Sequence, residues 1–236
     1  MTVAILMPVR NEGDRAKETV ASICSHAEDF GNVVVYLVDD GSQPAVALSD
    51  FPLQNGRFRL VLARHAVNLG QGAALETARQ LALSEGQFSA CITMDSDGQH
   101  SVEGALAMAH AIFDGADVAF GSRFLGRSKV PPARRLLLQA ARLLDWVVSG
   151  MRLSDAHNGL RGFSASALAK LKLKQDRMAH ATEITLRVSK FTHRNIVEIP
   201  VLIRYSPDSL AKGQRAFGAL TIIEDLLTQY LFGEVP

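Results

Sequence analysis

The sequence predicts an α/β fold in which a mainly parallel central sheet is flanked by helices within a single domain. Short apolar runs rich in β-branched residues alternate with amphipathic helical patterns, which is the order typical of βα units. The 236-residue chain is 47% hydrophobic and 21% charged, as globular proteins are. This composition excludes a disordered chain and a collagen-like repeat.

Five strands and three helices are predicted in the first half of the chain. The strands at 3–8 and 33–38 are continuous apolar runs, as expected where both faces of a parallel sheet are covered. The helix at 72–85 has apolar residues at helical spacing. The same reasoning gives strands at 59–64, 90–94 and 117–121 and helices at 14–26 and 102–114. Polar residues and glycines follow the strands, so we expect ligands to bind outside their carboxyl ends.

The pattern changes after Gly121, where a basic loop with two prolines begins. We predict a helix at 134–148, a loop at 150–162, helices around 165–171 and 182–191, a strand at 196–204, a polar loop at 205–215 and an amphipathic helix at 217–232. The sequence shows no internal repeat and no linker, so residues 1–236 are predicted to form one domain.

Charge is divided unevenly along the chain. Residues 1–120 contain 7 Lys and Arg against 15 Asp and Glu, whereas residues 121–236 contain 18 against 9. An acidic half suits a metal ion and a basic half suits an anionic substrate or a membrane surface, although chance clustering gives the same counts. Aromatic residues make up only 6% of the chain, so we expect no nucleic-acid partner.

The sequence indicates a cytoplasmic protein. Its two cysteines cannot supply a disulfide framework, no signal peptide is recognised, and the most apolar stretch is interrupted by Arg142 and Asp145. We expect a soluble protein or one that is peripheral on the cytoplasmic face of a membrane. The predicted helices 134–148 and 217–232 are the candidates for membrane contact, and each also fits a core helix or a homodimer contact.

Two carboxylates lie two residues apart after an apolar strand, in Asp95-Ser96-Asp97-Gly98-Gln99. Both reach one ion if the chain turns, and Gly98 permits a tight turn. Oxygen ligands of this kind bind Mg²⁺ or Mn²⁺, ions that usually keep water and bind substrate phosphates. The residues alone also fit an acidic turn without a ligand.

A second acidic pair, Asp39 and Asp40, follows the second strand. A carboxylate there can accept hydrogen bonds from a base or a ribose hydroxyl, and the same residues also fit an Asp-Gly turn with a helix cap. Asn11 and Glu12 follow the first strand at the same edge of the sheet. For them, too, nucleotide binding and helix capping both stay open.

Six motifs follow one another along the chain: MPVRNEG, VDDGS, NLGQGAAL, MDSDGQH, GSRF and NGLRGF. Together they resemble the family 2 glycosyltransferases over residues 3–215, most closely the branch of dolichyl- or polyprenyl-phosphate mannosyl- and glucosyltransferases. The resemblance implies a GT-A fold, a GDP- or UDP-sugar donor, a divalent cation (Mg²⁺ or Mn²⁺) and inversion at the anomeric carbon. It divides the domain into a nucleotide-sugar and metal half (1–120), an acceptor half (121–215) and a C-terminal helix (216–232).

The resemblance also implies roles for individual residues. The metal ligands would be Asp95, Asp97 and Gln99, and the catalytic groups Asp155, Asp97 and Arg123. Nucleotide-sugar contacts are implied at Pro8, Arg10, Asn11, Glu12, Asp39, Asp40, Gly70, Gln71, Asp95, Ser96, Arg123 and Arg161. One departure is Leu160, which replaces the phenylalanine that more often precedes this last arginine.

The expected reaction is transfer of a sugar to a polyprenyl-phosphate or lipid-linked acceptor in surface-glycan assembly. A soluble saccharide or a protein as acceptor is an alternative, and so is an inactive module that only binds nucleotide sugars. A sugar hydroxyl needs a general base, for which Asp155 and Glu183 are candidates, whereas a lipid phosphate is already anionic. Each of these carboxylates also fits a structural role, and Glu183, on a predicted helix, also fits an ion-pair partner.

Overall fold

The computed structural model describes residues 1–204 except 53, 87, 127, 129, 178, 193 and 194, with the backbone alone at 133, 134, 137 and 144. The predicted loop 205–215 and the predicted helix 217–232 lie outside the described residues. Seven strands form one sheet: β1 (Thr2–Val9), β2 (Asn32–Asp40), β3 (Phe58–His65), β4 (Ala90–Thr93), β5 (Val118–Ser122), β6 (Arg161–Ser164) and β7 (Ile196–Pro200).

Helices connect the strands and cover both faces of the sheet. Their bounds are α1 (Gly13–Ser25), α2 (Gln71–Glu85), α3 (Val102–Phe113), α4 (Pro132–Ser149), α5 (Ala165–Lys170) and α6 (His180–Ser189), with a short 3₁₀ turn at Leu48–Asp50. In the described part of the chain, no helix combines the length and the apolarity needed to cross a bilayer.

The strand order is β3-β2-β1-β4-β6-β5-β7. All neighbouring pairs are parallel except the two that involve β6, which runs antiparallel between β4 and β5. The predicted α/β class with a mainly parallel sheet is therefore confirmed. The sequence did not predict β6, whose first residues fall in the expected loop 150–162. The expected strand 196–204 is also too long, because the ladder ends at Pro200 and only Ile203 forms a further isolated bridge.

Consecutive residues of each central strand pack on opposite faces of the sheet. On β1, Val3, Ile5 and Met7 belong to the core beneath α1 and α3, while Ala4 and Leu6 belong to the core beneath α2, α5 and α6. The same alternation separates the last two residues of β2, so the two acidic side chains there start from opposite faces. Because β2, β1 and β4 are neighbours, the segments that follow their carboxyl ends meet at one edge.

Candidate active site

A cavity of about 410 Å³ lies at the carboxyl ends of β1, β2 and β4. It is charged with both signs, since four acidic residues and two arginines line it. The lining residues are Pro8, Val9, Arg10, Glu12, Asp40, Asn68, Gly70, Gln71, Asp95, Ser96, Asp97 and Arg177. Such a lining suits a polar ligand that carries hydroxyl and phosphate groups.

Asp40 organises one wall of this cavity. Its Oδ1 accepts hydrogen bonds from the N–H of Leu69 at 2.9 Å and from Nδ1 of His65 at 2.8 Å, and its Oδ2 accepts one from the N–H of Gly70 at 2.8 Å. Burial alone would raise the pKa of the Asp40 carboxyl, but these hydrogen bonds bring that pKa below its usual value. Asp40 is therefore ionised at neutral pH, and it fixes the loop that leads into α2.

Asp39 is fully buried and does not line the cavity. Its carboxylate accepts hydrogen bonds from the N–H groups of Ser42 at 2.8 Å and Val46 at 3.2 Å, and Nε of Arg64 lies 3.6 Å from its Oδ2. Asp39 thus shapes the loop after β2. This placement argues against the nucleotide contact that the family resemblance implies for it.

Asp95 and Asp97 both line the cavity, and each is held by a glutamine. Nε2 of Gln71 donates to Oδ1 of Asp95 at 2.8 Å. The backbone N–H and the Nε2 of Gln99 donate to Asp97 at 3.0 and 2.7 Å. Burial, together with the nearby charge of Asp95, raises the pKa of Asp97. The two carboxylates therefore repel each other, and a cation between them would relieve that repulsion.

The donor set fits a divalent cation of the Mg²⁺ or Mn²⁺ type. Two carboxylates are present, and Gln99 is the third predicted ligand. The side-chain nitrogen of Gln99 donates to Asp97, which leaves its carbonyl oxygen available for a cation. Gln99 itself does not line the cavity. Among the residues that the structure describes, no group of three or more His, Cys, Asp and Glu side chains could hold a metal by itself. An ion here would take its remaining ligands from water and from substrate oxygens, as Mg²⁺ commonly does.

Two glycines let residues 175–177 pack against the start of α2. The N–H of Gly72 donates to the carbonyl oxygen of Asp176 at 2.8 Å. A Cβ atom at Gly70 would fall within 3.0 Å of that same oxygen, and one at Gly72 within 3.0 Å of the carbonyl oxygen of Gln175. Side chains are therefore excluded at both positions. This close approach brings Arg177 into the cavity wall.

Arg123 and Asp155 do not line the cavity but form a buried pair with each other. Nε of Arg123 lies 2.6 Å from Oδ2 of Asp155, and the backbone N–H of Arg123 donates to the same oxygen at 3.0 Å. Asn158 donates to it as well, at 3.4 Å. These contacts favour a structural role for both residues over the catalytic roles that the resemblance implies.

Arg161 is buried behind the cavity rather than exposed in it. It is 1% exposed, and its Nη2 donates to the carbonyl oxygen of Ala156 at 3.2 Å. Burial lowers the pKa of its guanidinium to about 10, although the nearby negative charges of Asp95 and Asp155 act to raise it. Burial, with the charge of Arg161, also lowers the pKa of His180 to about 4. Arg161 thus supplies positive charge near the carboxylates of Asp95 and Asp155 without lining the cavity.

Two further candidates have local structural partners. Asn11 accepts a hydrogen bond from the N–H of Gln43 at 2.8 Å and does not line the cavity. Glu183 accepts from the N–H of Lys174 and from Nε of Arg187, the latter at 2.8 Å. Glu183 therefore joins α6 to the segment before it, as an ion-pair partner does.

The structure brings together nine of the predicted site residues as lining of one cavity: Pro8, Arg10, Glu12, Asp40, Gly70, Gln71, Asp95, Ser96 and Asp97. It adds Val9, Asn68 and Arg177, which the sequence did not single out. Asn68 begins the NLGQGAAL motif, so the motif itself carried a signal for it. Arg177 lies between two helices in a segment without any recognisable motif.

The sequence model of a known family, glycosyl transferase family 2, matches residues 4–172. This span includes all the cavity segments except the one that holds Arg177. The chain belongs to glycosyl transferase family 2. It is a glycosyltransferase, as the motifs predicted.

Two relatives of this chain carry names that refer to lipid phosphates. The chain is 26% identical over 243 residues to the UDP-N-acetylglucosamine–dolichyl-phosphate N-acetylglucosaminyltransferase of Methanococcus voltae, with 95% of this chain and 94% of the relative covered. It is 28% identical over 203 residues to the polyprenol monophosphomannose synthase of Mycolicibacterium smegmatis, with 84% and 75% covered. These relatives support the predicted polyprenyl-phosphate branch of family 2.

A solved structure confirms the predicted GT-A fold. Glucosyl-3-phosphoglycerate synthase from Mycobacterium tuberculosis, crystallised with Mn²⁺, UDP-glucose and phosphoglyceric acid, matches with a TM-score of 0.64. The match covers 97% of this chain and 79% of that one at 17% sequence identity. At that identity the likeness establishes the fold alone.

Proposed function

We propose that this family 2 glycosyltransferase is an inverting, metal-dependent enzyme that transfers a sugar from a GDP- or UDP-sugar to a polyprenyl-phosphate or lipid-linked acceptor in surface-glycan assembly. The observation that carries the proposal is the meeting of Asp40, Asp95 and Asp97 in one cavity. One carboxylate suits the nucleoside, and two suit a cation on its diphosphate. Residues 1–120, together with Arg177, would bind the donor, and the rest of residues 121–215 would serve the acceptor.

The cavity is equipped for a nucleoside diphosphate. Oδ2 of Asp40 accepts one hydrogen bond from the chain, at Gly70, so a ribose hydroxyl or a base N–H can supply a second. Arg10 and Arg177 line the same cavity, and their guanidinium groups would offset phosphate charge. The Mycobacterium tuberculosis enzyme of the same fold was crystallised with UDP-glucose and Mn²⁺, which supports such a donor.

Asp95, Asp97 and Gln99 would hold the divalent cation. When bound, the ion acts as a Lewis acid that stabilises the negative charge developing on the leaving diphosphate. The hydrogen bonds from Gln71 and Gln99 orient the two carboxylates in advance. Because the carboxylates are already oriented, they do not have to rearrange during the reaction.

The proposed reaction is a single displacement. An oxygen of the acceptor phosphate attacks the anomeric carbon, the bond from that carbon to the β-phosphate oxygen breaks, and the electron pair leaves with the nucleoside diphosphate. Attack from the face opposite the leaving group inverts the configuration. A phosphate nucleophile is already anionic, so no proton has to be removed.

The ion pairs formed by the two candidate general bases, Asp155 and Glu183, support a phosphate acceptor over a sugar hydroxyl. Asp155 is paired with Arg123, and Glu183 is paired with Arg187. Neither carboxylate lines the cavity. To serve as the base for a hydroxyl acceptor, either of them would have to leave its partner, whereas a lipid phosphate needs neither.

A lipid acceptor requires contact with a bilayer, and α4 offers a surface for it. Arg135 and Arg142 are exposed on this helix, while its acidic residue, Asp145, is buried with Nε2 of His157 2.6 Å away. An apolar and cationic face without an exposed carboxylate suits an anionic membrane surface. Among the described side chains of α4, the large apolar ones that are exposed are Leu136, Leu143, Trp146 and Val147. The same face would also serve a homodimer, which is the competing proposal.

Thermal unfolding in the presence of nucleotides tests the donor site. GDP, UDP, CMP and dTDP are compared, each with and without Mn²⁺ or Mg²⁺. A ligand that binds only the native state adds about 2.7 kcal/mol of stability at a hundredfold excess over Kd. We expect one nucleotide to raise the Tm only with metal, Asp97→Ala to remove that shift, and Asp114→Ala, at an exposed position, to keep it. No shift from any nucleotide would favour an inactive module and overturn the proposal.

A further inference from the structure

His65 lies between Asp40, in the cavity wall, and helix α2. It is the last residue of β3 and pairs in register with Asp40 on β2. Its Nδ1 lies 2.8 Å from Oδ1 of Asp40, and its Nε2 lies 2.9 Å from Oγ1 of Thr77. Both ring nitrogens are thus engaged, and only 10% of the side chain is exposed.

These two contacts fix one tautomer of the neutral His65 ring. A carboxylate can only accept a hydrogen bond, so Nδ1 carries the proton and donates it to Asp40. Nε2 is then the acceptor for the hydroxyl of Thr77. Because Thr77 belongs to α2, the ring is anchored by a helix on one side and orients a carboxylate on the other.

The orientation of Asp40 governs the loop before α2. Oδ1 is shared by His65 and the N–H of Leu69, and Oδ2 holds the N–H of Gly70. The next residue, Gln71, reaches Asp95 at 2.8 Å. A rotation of the Asp40 carboxylate would therefore release two amides and disturb the loop that connects both ends of the cavity.

We propose that His65 is a positioning residue that sets the affinity of the cavity for the nucleotide by fixing the orientation of Asp40. The proposal rests on the proposed function, because it assumes that a nucleotide occupies this cavity. His65 does not line the cavity, so its effect has to pass through Asp40. Thr77 takes part as the anchor that holds the ring.

Calorimetric titration of the full chain with UDP and with GDP, in the presence of Mn²⁺, tests the proposal. Loss of a hydrogen bond to a charged group is expected to weaken binding of the recognised nucleotide about tenfold in His65→Leu. In His65→Asn the amide N–H can replace Nδ1–H, so Kd should stay within about threefold of the wild-type value. Thr77→Val, which keeps the shape but removes the hydroxyl, should fall between these two. His110→Leu, at an exposed position on α3, is the control and should bind as the wild type does.

A merely structural role predicts a different pattern. The leucine and asparagine variants would then lose Tm together, while the folded protein of each kept the wild-type Kd. Folded His65→Leu protein with the wild-type Kd would overturn the proposal, as would an asparagine variant as weak as the leucine variant. If His65→Leu does not fold, the Kd of Thr77→Val decides instead. A Kd weaker than that of the wild type supports the proposal, and the wild-type Kd overturns it. A wild-type protein that binds neither nucleotide would overturn the proposed function first, and this inference with it.

Discussion

Nε of Arg123 lies 2.6 Å from Oδ2 of Asp155, and both side chains are buried. The backbone N–H of Arg123 donates to the same oxygen from 32 residues away in the sequence. The pair joins the end of β5 to the loop before β6. The carboxylate that the sequence offered as a general base is therefore already engaged by a buried arginine.

Replacing Asp155 with asparagine is expected to lower the free energy of unfolding by about 3 kcal/mol, because Arg123 is left buried without its charge partner. Denaturant unfolding measures the loss. Asp114→Asn, at an exposed position, is the control and should stay within about 0.5 kcal/mol of the wild type. An Asp155→Asn protein with wild-type stability and no transferase activity would instead identify Asp155 as the general base.

Replacing Gly72 with alanine is expected to lower the free energy of unfolding by about 2 kcal/mol, since the new Cβ would fall within 3.0 Å of the backbone oxygen of Gln175. Gly56→Ala is the matched control, because no atom lies within 4 Å of the Cβ added there. Thermal and denaturant unfolding compare the two variants. Equal stability would show that residues 175–177 do not pack on α2 as described.

Acidification should destabilise the protein through His180. Its pKa is lowered from 6.5 to about 4 by burial and by Arg161. Above pH 6.5 neither the folded nor the unfolded state binds the proton, and between pH 6.5 and about 4 only the unfolded state does. The free energy of unfolding therefore decreases as the pH is lowered through this range, by up to about 3 kcal/mol. His180→Gln, which does not titrate, should lose less over that range than the wild type, while exposed His110→Gln should follow the wild type. Parallel curves for His180→Gln and the wild type would be inconsistent with a buried neutral histidine.

The exposed face of α4 should bind anionic vesicles. Leu143→Glu combined with Val147→Glu removes two exposed apolar groups and adds negative charge, so co-sedimentation with such vesicles should fall about tenfold. Leu48→Glu, at another exposed apolar position, is the control and should bind as the wild type does. If the double variant instead turns a dimer into a monomer in ultracentrifugation while vesicle binding is unchanged, the face is a homodimer contact.

The sequence predicts the first five strands to within two residues at each end, because their apolar runs are bounded by turn residues. Four of the five are buried on both faces, and β3, at the edge of the sheet, is only partly buried. It does not predict β6, which is four residues long and antiparallel. The partners of β6 are β4 and β5, both distant in the sequence. Nothing local in Arg161–Ser164 distinguishes such a strand from a loop.

The site is predictable where one motif carries one role, and ambiguous where a role depends on a distant partner. The sequence points to both Asp39 and Asp40, but neighbouring residues of a strand face opposite ways, and only Asp40 reaches the cavity. The pairing of Arg123 with Asp155 depends on a long-range contact that no spacing reveals. Arg177 enters the cavity only because two glycines admit its segment.

Transfer of labelled sugar to polyprenyl phosphate tests the central claim most directly. The full chain is incubated with Mn²⁺, a polyprenyl phosphate, and UDP- or GDP-linked sugars in turn, and the label in the organic phase is counted. We expect label to enter the lipid with one donor, to require the metal, and to vanish in Asp97→Ala but not in Asp114→Ala. Metal-dependent nucleotide binding without any labelled lipid from these donors would contradict the lipid-phosphate acceptor.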